Sequence, residues 1–118
     1  MPIEYNSEFC RVSLLDGAVC ICWKKFCCGA DYRAPTLFAL DLLRAHPRTD
    51  LLIDARDGFE DDPADVAWAF AELLPAMAQT DCETVTFLMH EVSAIEDEMD
   101  LWGREFSKYF RLVRKTVE

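Results

Sequence analysis

The feature that most constrains the fold is the segment 50–63, which has the pattern of a buried strand, an acidic loop and the capped start of a helix. The apolar run 51–53 ends at Asp54, and Asp62 followed by Pro63 is typical of an N-cap and a first helical residue. A strand that leads directly into a helix is half of a parallel βαβ unit. The segment therefore predicts an α/β fold, and it does not indicate a reaction.

The rest of the chain, read by hydrophobic periodicity and turn signals, supplies the other elements. The chain begins with predicted strands over 9–15 and 18–26, which an Asp16-Gly17 turn joins, and a loop over 27–33 follows. We next predict a helix over 35–45 that Pro35 opens, a strand over 51–55, and a helix that starts at Asp62-Pro63 and that Pro75 ends or kinks. The last predicted elements are a strand over 84–89, a helix opened by a capping box from Ser93 to Glu96, and a strand over 109–117. An opening β-hairpin followed by αβαβαβ predicts a mixed, mostly parallel sheet with helices packed on it. At 118 residues this is one domain over 1–118.

Composition and charge narrow the class of protein. The chain is 52% hydrophobic, which is enough for a core. Its net charge of −10 disfavours binding to nucleic acid or to a membrane surface. No apolar run approaches the roughly 18 residues of a membrane span, and residues 1–6 lack the basic and apolar regions of a signal peptide. We therefore expect a soluble, cytoplasmic protein.

Six cysteines are a high count for a chain of this length: Cys10, Cys20, Cys22, Cys27, Cys28 and Cys82. Without a secretion signal, a disulfide framework is disfavoured. The spacing matches neither a paired Cys-x-x-Cys site nor a Cys-x-x-Cys with a distant His-x-x-x-His. We interpret these residues as reduced thiols that act as small hydrophobes, and we expect neither a metal nor a cofactor.

Polar residues follow two of the predicted parallel strands, where ligands of open α/β sheets bind. Asp54, Arg56 and Asp57 come after the third strand, and His90 and Glu91 come after the fourth. Carboxylates beside a histidine can hold a divalent metal or act as acid and base. The same residues equally suit a cap, an Asp-Gly turn and a solvated edge, and the structural interpretation is favoured.

The loop between the third strand and the second helix concentrates four acids, Asp57, Glu60, Asp61 and Asp62. Carboxylates this close repel one another unless a cation or a basic partner is present, so we predict a binding surface for a protein partner without turnover. Trp68 lies off the main apolar face of the following helix. We expect it to be exposed and to belong to the same partner surface.

Several core and turn residues of the chain carry a family resemblance over roughly 9–117. They are Trp23, the Tyr32-Arg33 loop, Asp54-Ala-Arg56, the helix with Trp68 and Leu73-Leu74-Pro75, and the strand over 84–89. With the element order, these residues resemble the STAS or SpoIIAA-like fold, and more closely the small bacterial SpoIIAA-like proteins of unknown function. The resemblance implies a protein-interaction or regulatory domain.

One departure from the family concerns its phosphorylated serine. In anti-anti-sigma members an Asp-Ser pair stands at the start of the helix after the Asp-terminated strand, a position that corresponds here to Asp61-Asp62-Pro63. Apart from Thr80, no serine or threonine lies between Asp54 and Cys82. The resemblance thus implies that the phosphoacceptor is missing. The acids in its place either imitate a phosphorylated surface or only cap the helix.

Three functions stay open. The first is a non-enzymatic protein-interaction or regulatory module, favoured because the sequence holds no specific catalytic constellation. The second is a small carrier of an apolar ligand or lipid, since SpoIIAA-like proteins resemble the lipid-binding Sec14 fold. The third is an enzyme that uses Asp54, Asp57 and His90. We also expect a homodimer, because a small domain rich in large aromatic residues tends to leave an apolar face to cover.

Overall fold

Six strands form one sheet in which the order across the sheet follows the order along the chain. The computed structural model describes residues 4–90 and 94–117. The strands are β1 (Glu4–Asn6), β2 (Cys10–Leu15), β3 (Ala18–Trp23), β4 (Asp50–Asp54), β5 (Thr84–His90) and β6 (Arg111–Val117). The helical elements are α1 (Ala30–Ala45), α2 (Pro63–Trp68), a π-helical turn (Ala69–Leu73), α3 (Leu74–Ala78) and α4 (Glu96–Phe106).

The sheet joins an antiparallel part to a parallel part. Strands β1, β2 and β3 pair antiparallel, and β3, β4, β5 and β6 pair parallel. The hairpin between β2 and β3 turns at Asp16 and Gly17, whose φ angles are +50° and +78°, as a tight turn of this kind requires. The prediction of a mixed, mostly parallel α/β sheet with an opening hairpin is confirmed. Strand β1 was not predicted, because three residues carry too little periodicity.

The helices cover one face of the sheet, and the core lies between them. Val19, Leu51 and Phe87 on this face are almost fully buried. Their neighbours along the strands, such as Cys20 and Leu52, are only partly buried, because alternate residues of a strand point to opposite faces. Successive parallel strands are added in the same direction across the sheet. Because the connections between parallel strands are right-handed, the helices that join them all lie on the same face. No helix within residues 4–90 and 94–117 is long and apolar enough to cross a membrane.

Helix α1 begins at Ala30 and not at Pro35, so the predicted loop over 27–33 is wrong in its second half. The extra turn is held by contacts that are distant in sequence. Asp65 accepts hydrogen bonds from the backbone N–H of Gly29 (2.9 Å) and from Arg33 Nε (3.0 Å). These bonds fix the first turn of α1, which allows the helix to continue through a proline that a local pattern would place at its start.

The second helical segment runs from Pro63 to Ala78, so it does not end at Pro75, which was one of the two outcomes predicted there. Its start is confirmed, because the Asp62 side chain accepts a hydrogen bond from the Ala64 N–H (2.9 Å). Before the proline, the N–H of Leu74 donates to the Ala69 carbonyl five residues back. Proline has no N–H with which to make the α-helical hydrogen bond to the carbonyl four residues back. Because the wider π turn directly before Pro75 replaces this bonding pattern, the helix continues past the proline.

The last helix and strand differ from prediction mainly at their ends. Helix α4 begins at Glu96, whereas Ser93 of the predicted capping box lies outside the described residues. One side of this helix faces the core, with Met99, Trp102 and Phe106 all buried. Strand β6 starts at Arg111 rather than at 109, and β3 ends at Trp23 rather than at 26.

The cysteine thiols are all free and differ in burial. Cys10, Cys27 and Cys82 are buried, Cys20 and Cys22 are partly buried, and Cys28 is exposed. Burial raises the pKa of the Cys10 thiol to about 12 and that of the Cys82 thiol to about 11. Over the described ranges, no three His, Cys, Asp or Glu side chains are grouped so as to hold a metal ion.

Two glycines allow a matched test of backbone packing. A Cβ at Gly58 would lie 2.9 Å from the Ala55 carbonyl oxygen and 2.9 Å from a methyl of Ile95. At Gly103 it would meet only a Leu112 methyl at 3.2 Å, and a helical alanine is favoured over glycine by about 1 kcal/mol. We therefore expect Gly58→Ala to lower the free energy of unfolding by about 1–2 kcal/mol and Gly103→Ala to leave it within about 0.5 kcal/mol or to raise it. Urea titration of both variants measures the difference, and equal destabilisation would contradict it.

Candidate functional site

A cavity of about 70 Å³ lies between the carboxyl ends of β3, β4 and β5 and the helices that cover them. Its sheet side is formed by Ile21, Trp23, Leu51, Ile53, Ala55 and Phe87. Its helix side is formed by Tyr32, Thr36, Leu73, Met77, Glu98, Met99, Trp102 and Phe106, and the loops add Gly58, Phe59, Asp61 and Ile95. The location agrees with the general rule for ligands of open α/β sheets.

The cavity has an apolar inner end and a more polar outer end. Leu51, Met77 and Phe87 are almost fully buried and line the inner end. Phe59 and Asp61 are partly exposed, which places them toward the solvent. Most small-molecule sites combine an apolar interior with a few well-placed polar groups in this way.

Two carboxylates from distant parts of the chain meet at the outer end. The Tyr32 hydroxyl donates to Asp61 Oδ2 (3.2 Å). Glu98 Oε1 accepts from the backbone N–H of Asp61 (3.2 Å) and from the indole N–H of Trp102 (3.0 Å). The loop after β4 is therefore connected to α1 through one acid and to α4 through the other.

Aromatic rings form the walls around these acids. Trp23 at the end of β3 stacks on Tyr32 with 4.9 Å between ring centroids and 9° between the planes. Phe59 packs edge-on against Trp23 at 5.8 Å and against Phe26 at 5.4 Å. Such pairs fix the orientation of each ring, so the walls are held in place before any ligand binds.

Burial and a neighbouring negative charge act together on Asp61. Removal from water and the charge of Glu98 raise the pKa of the Asp61 carboxyl from 3.8 to about 7, although the hydrogen bond from Tyr32 acts in the opposite direction. Asp65 adds a smaller repulsion. The pKa of the Tyr32 hydroxyl is also raised by burial and by these acids. Near neutral pH, Asp61 thus exists in both protonation states.

An ion pair between a buried carboxylate and a partly exposed guanidinium lies next to this arrangement. Asp65 on α2 is almost fully buried and pairs with Arg33 of α1 at 3.0 Å. The Arg33 guanidinium also lies over the Trp68 ring, 5.0 Å from its centroid. The pair joins the first turns of α1 and α2, and it thereby positions Tyr32 beside Asp61.

Asp54 and His90, predicted at the strand ends, lie away from the cavity, and Glu91 lies outside the described residues. Asp54 alternates with Ile53 and Ala55, which line the cavity, so it points to the face without helices. There it binds Arg56 at 2.7 Å and 3.0 Å, and the hydrogen bond from Arg56 lowers the pKa of the Asp54 carboxyl. His90 is exposed at the end of β5. Neither Asp54 nor His90 is among the cavity-lining residues.

The acids of the predicted partner loop separate into different environments. Asp57 and Glu60 are exposed, Asp61 enters the cavity and Asp62 caps α2. Trp68, which the pattern placed in solvent, is half-buried against the core and carries Arg33 on its ring. The expectation of an exposed Trp68 is wrong, because the cation from α1 covers it.

The residues that sequence reasoning missed are Glu98 and the carboxylate roles of Asp61 and Asp65. Glu98 stood as one of three acids in the first turn of a predicted helix, where acids are common. Asp65 had the same explanation. In the sequence, the only indication of this site is the adjacent hydroxyl and cation of Tyr32 and Arg33. Their position in the sequence does not show which acids they bind.

No protein-family model, no curated protein and no solved structure gives a significant match to this chain.

Proposed function

We propose that this protein is a non-enzymatic binding domain that takes a small, largely apolar molecule into the cavity between sheet and helices. The observation that carries the proposal is the cavity itself, with its apolar interior and its two carboxylates at the outer end. A close-packed core rarely keeps a void of this kind. The π turn beside it adds support, since Leu73 of that turn lines the cavity and π turns are frequent at functional sites.

The size of the cavity favours a small molecule over a lipid. A water needs roughly 10–15 Å³ of such space, so about 70 Å³ holds roughly five waters or a hydrocarbon group of a few carbon atoms. This is less than half of the roughly 150 Å³ in which a benzene ring binds. A long acyl chain needs several times more room. The expected ligand is therefore a compact organic molecule, and the lipid-carrier alternative would need the walls to open.

Binding is favoured over turnover by the chemistry of the lining. Among the described lining residues the titratable groups are Asp61, Glu98 and Tyr32. The Tyr32 hydroxyl is engaged by Asp61, and Glu98 is engaged by the Trp102 indole. These bonds orient the acids as acceptors and hold no activated nucleophile.

A regulatory role for the acidic loop is the second candidate. The same loop carries Phe59 and Asp61 into the cavity wall and presents Glu60 to solvent. Occupation of the cavity would thus act on the segment that the SpoIIAA-like resemblance assigns to a protein partner. This candidate predicts that ligand binding alters the affinity for that partner.

The proposed function is tested by two-dimensional NMR of the ¹⁵N-labelled protein with propan-1-ol and propylamine as probes. We expect at least one probe to shift the indole N–H signals of Trp23 and Trp102, which line the cavity. Ala55→Leu fills the cavity and should abolish the shifts. Ala34→Leu adds the same atoms at an exposed position of α1 and should preserve them.

Loss of the shifts in the filled variant alone supports the cavity as the binding site. If neither probe moves these signals at millimolar concentration, or if both variants bind like the wild type, the proposed function is wrong.

A further inference from the structure

We propose that the cavity selects an organic ammonium ion, whose charged head lies between Asp61 and Glu98 and whose hydrocarbon part fills the apolar end. This inference rests on the proposed function and names the class of ligand. It follows from the charges, the rings and the shape of the outer end, each of which favours a cation over a neutral molecule.

The charge of the lining is negative. Asp61 and Glu98 both line the cavity, and among the described lining residues none is a lysine, arginine or histidine. Arg33, the cation of the ion pair between α1 and α2, is already bound to Asp65. Two carboxylates that share one partly buried site without a cation repel each other and lack a compensating positive charge. A bound ammonium supplies the missing charge.

The aromatic walls also suit a cation. Trp23 and Phe59 pack edge to face at 81°, so two rings at right angles to each other stand together in the cavity wall. Trp102 adds a third ring to the same cavity. Aromatic faces attract ammonium groups, and an enclosure of several rings with an acid is the usual solution for alkylated ammonium ligands. A neutral alcohol gains nothing comparable from these rings.

The hydrogen-bonding groups of the outer end are acceptors. An ammonium head has only donors, and a carboxylate has only acceptors when ionised. The Tyr32 hydroxyl donates to Asp61 Oδ2, and the Asp61 backbone N–H and the Trp102 indole N–H both donate to Glu98 Oε1. The second oxygens, Asp61 Oδ1 and Glu98 Oε2, accept no hydrogen bond from the described residues and are left for donors of a ligand.

The protonation of Asp61 supports the same conclusion. The groups that face it are Glu98 from α4, Tyr32 from α1 and Asp65 from α2, and burial with these charges raises its pKa to about 7. A cation at the same place has the opposite effect and favours the ionised carboxylate. Amine binding near neutral pH should therefore release a proton from Asp61.

The test is calorimetric titration of the full chain with propylamine and with propan-1-ol, which differ mainly in charge and whose three carbon atoms suit the cavity volume, at pH 7.5 and 150 mM NaCl. We expect propylamine to bind at least tenfold more tightly than propan-1-ol. Asp61→Asn and Glu98→Gln should each reduce that preference to less than threefold. Asp97→Asn removes the same charge from an exposed neighbour on α4 and should keep the full preference.

Repetition in buffers of different ionisation enthalpy measures the proton that amine binding should release in the wild type. Thermal unfolding of each variant shows that it is folded before its affinity is compared. Equal affinity for the two probes would overturn the ammonium inference and leave the proposed function intact, whereas failure of both probes would remove both. A loss of preference in Asp97→Asn as large as in Asp61→Asn would also overturn it, because the selectivity would then come only from the overall negative charge.

Discussion

Replacing Arg33 with methionine is expected to lower the free energy of unfolding by about 3–5 kcal/mol, the range for breaking a buried ion pair from one side. The reason is the burial of its partner. The Asp65 side chain is 2% exposed, whereas that of Arg33 is 37% exposed. Without the guanidinium, the one hydrogen bond that Asp65 keeps from a described residue comes from the Gly29 N–H, and Asp65 stays a nearly unpaired charge in the core. Methionine keeps a long apolar stem over Trp68, so packing changes little.

Asp65→Asn is the matched control, since it removes the charge from the buried side. The asparagine retains an acceptor for the Gly29 N–H, and Arg33 is exposed enough to turn toward water. We expect a smaller loss of about 1–2 kcal/mol. Chemical denaturation of the single and double variants gives the coupling energy. A smaller loss for Arg33→Met than for Asp65→Asn would show that the pair is not stabilised in the way we describe.

The parts of the fold that the sequence predicted are those with local causes. The run 51–53 is apolar on both faces of a strand, and β4 lies in the middle of the sheet as that pattern requires. The Asp16-Gly17 turn joins two alternating runs, and Asp62-Pro63 starts a helix. Each of these signals lies within a few residues, so distant contacts do not alter it.

The candidate site was not predicted because its contacts are long-range. Asp61 meets Glu98 across 37 positions of the chain, and Gly29 meets Asp65 across 36. In the sequence, all the acids of the loop look alike, and only the fold turns Asp61 inward while Asp57 stays in solvent. The early start of α1 has the same origin, because the bond between Arg33 and Asp65 overrides the local preference for a break before Pro35.

Asp61→Asn is expected to raise the free energy of unfolding at pH 8 by about 1–3 kcal/mol, although it removes a residue of the candidate site. The carboxyl has a pKa of about 7 in the fold against an ordinary value of 3.8. Asparagine has nearly the same shape, and its side-chain oxygen accepts from Tyr32 as the carboxylate does. A tenfold change in an acid dissociation constant corresponds to about 1.4 kcal/mol, and the partial exposure of Asp61 reduces the effect on stability below the full difference between the two pKa values.

The sign follows from proton binding. Between pH 3.8 and about 7 the folded protein holds a proton on Asp61 that the unfolded chain has lost, so stability falls as pH rises through this window. The asparagine variant has no carboxyl to titrate and escapes this loss. We therefore expect its advantage to be absent near pH 4, to grow through pH 7 and to level off above it, as measured by urea denaturation at each pH.

Asp57→Asn, in the same loop but exposed, should change stability by less than about 0.5 kcal/mol at every pH. An Asp61→Asn variant that is less stable than the wild type at pH 8 would contradict the prediction and would mean that the negative charge of Asp61 is stabilised inside the chain. The expected gain has a functional meaning. A protein that keeps a destabilising acid in a cavity retains a charge that its fold does not need, and a cationic ligand is the partner that would make that charge favourable.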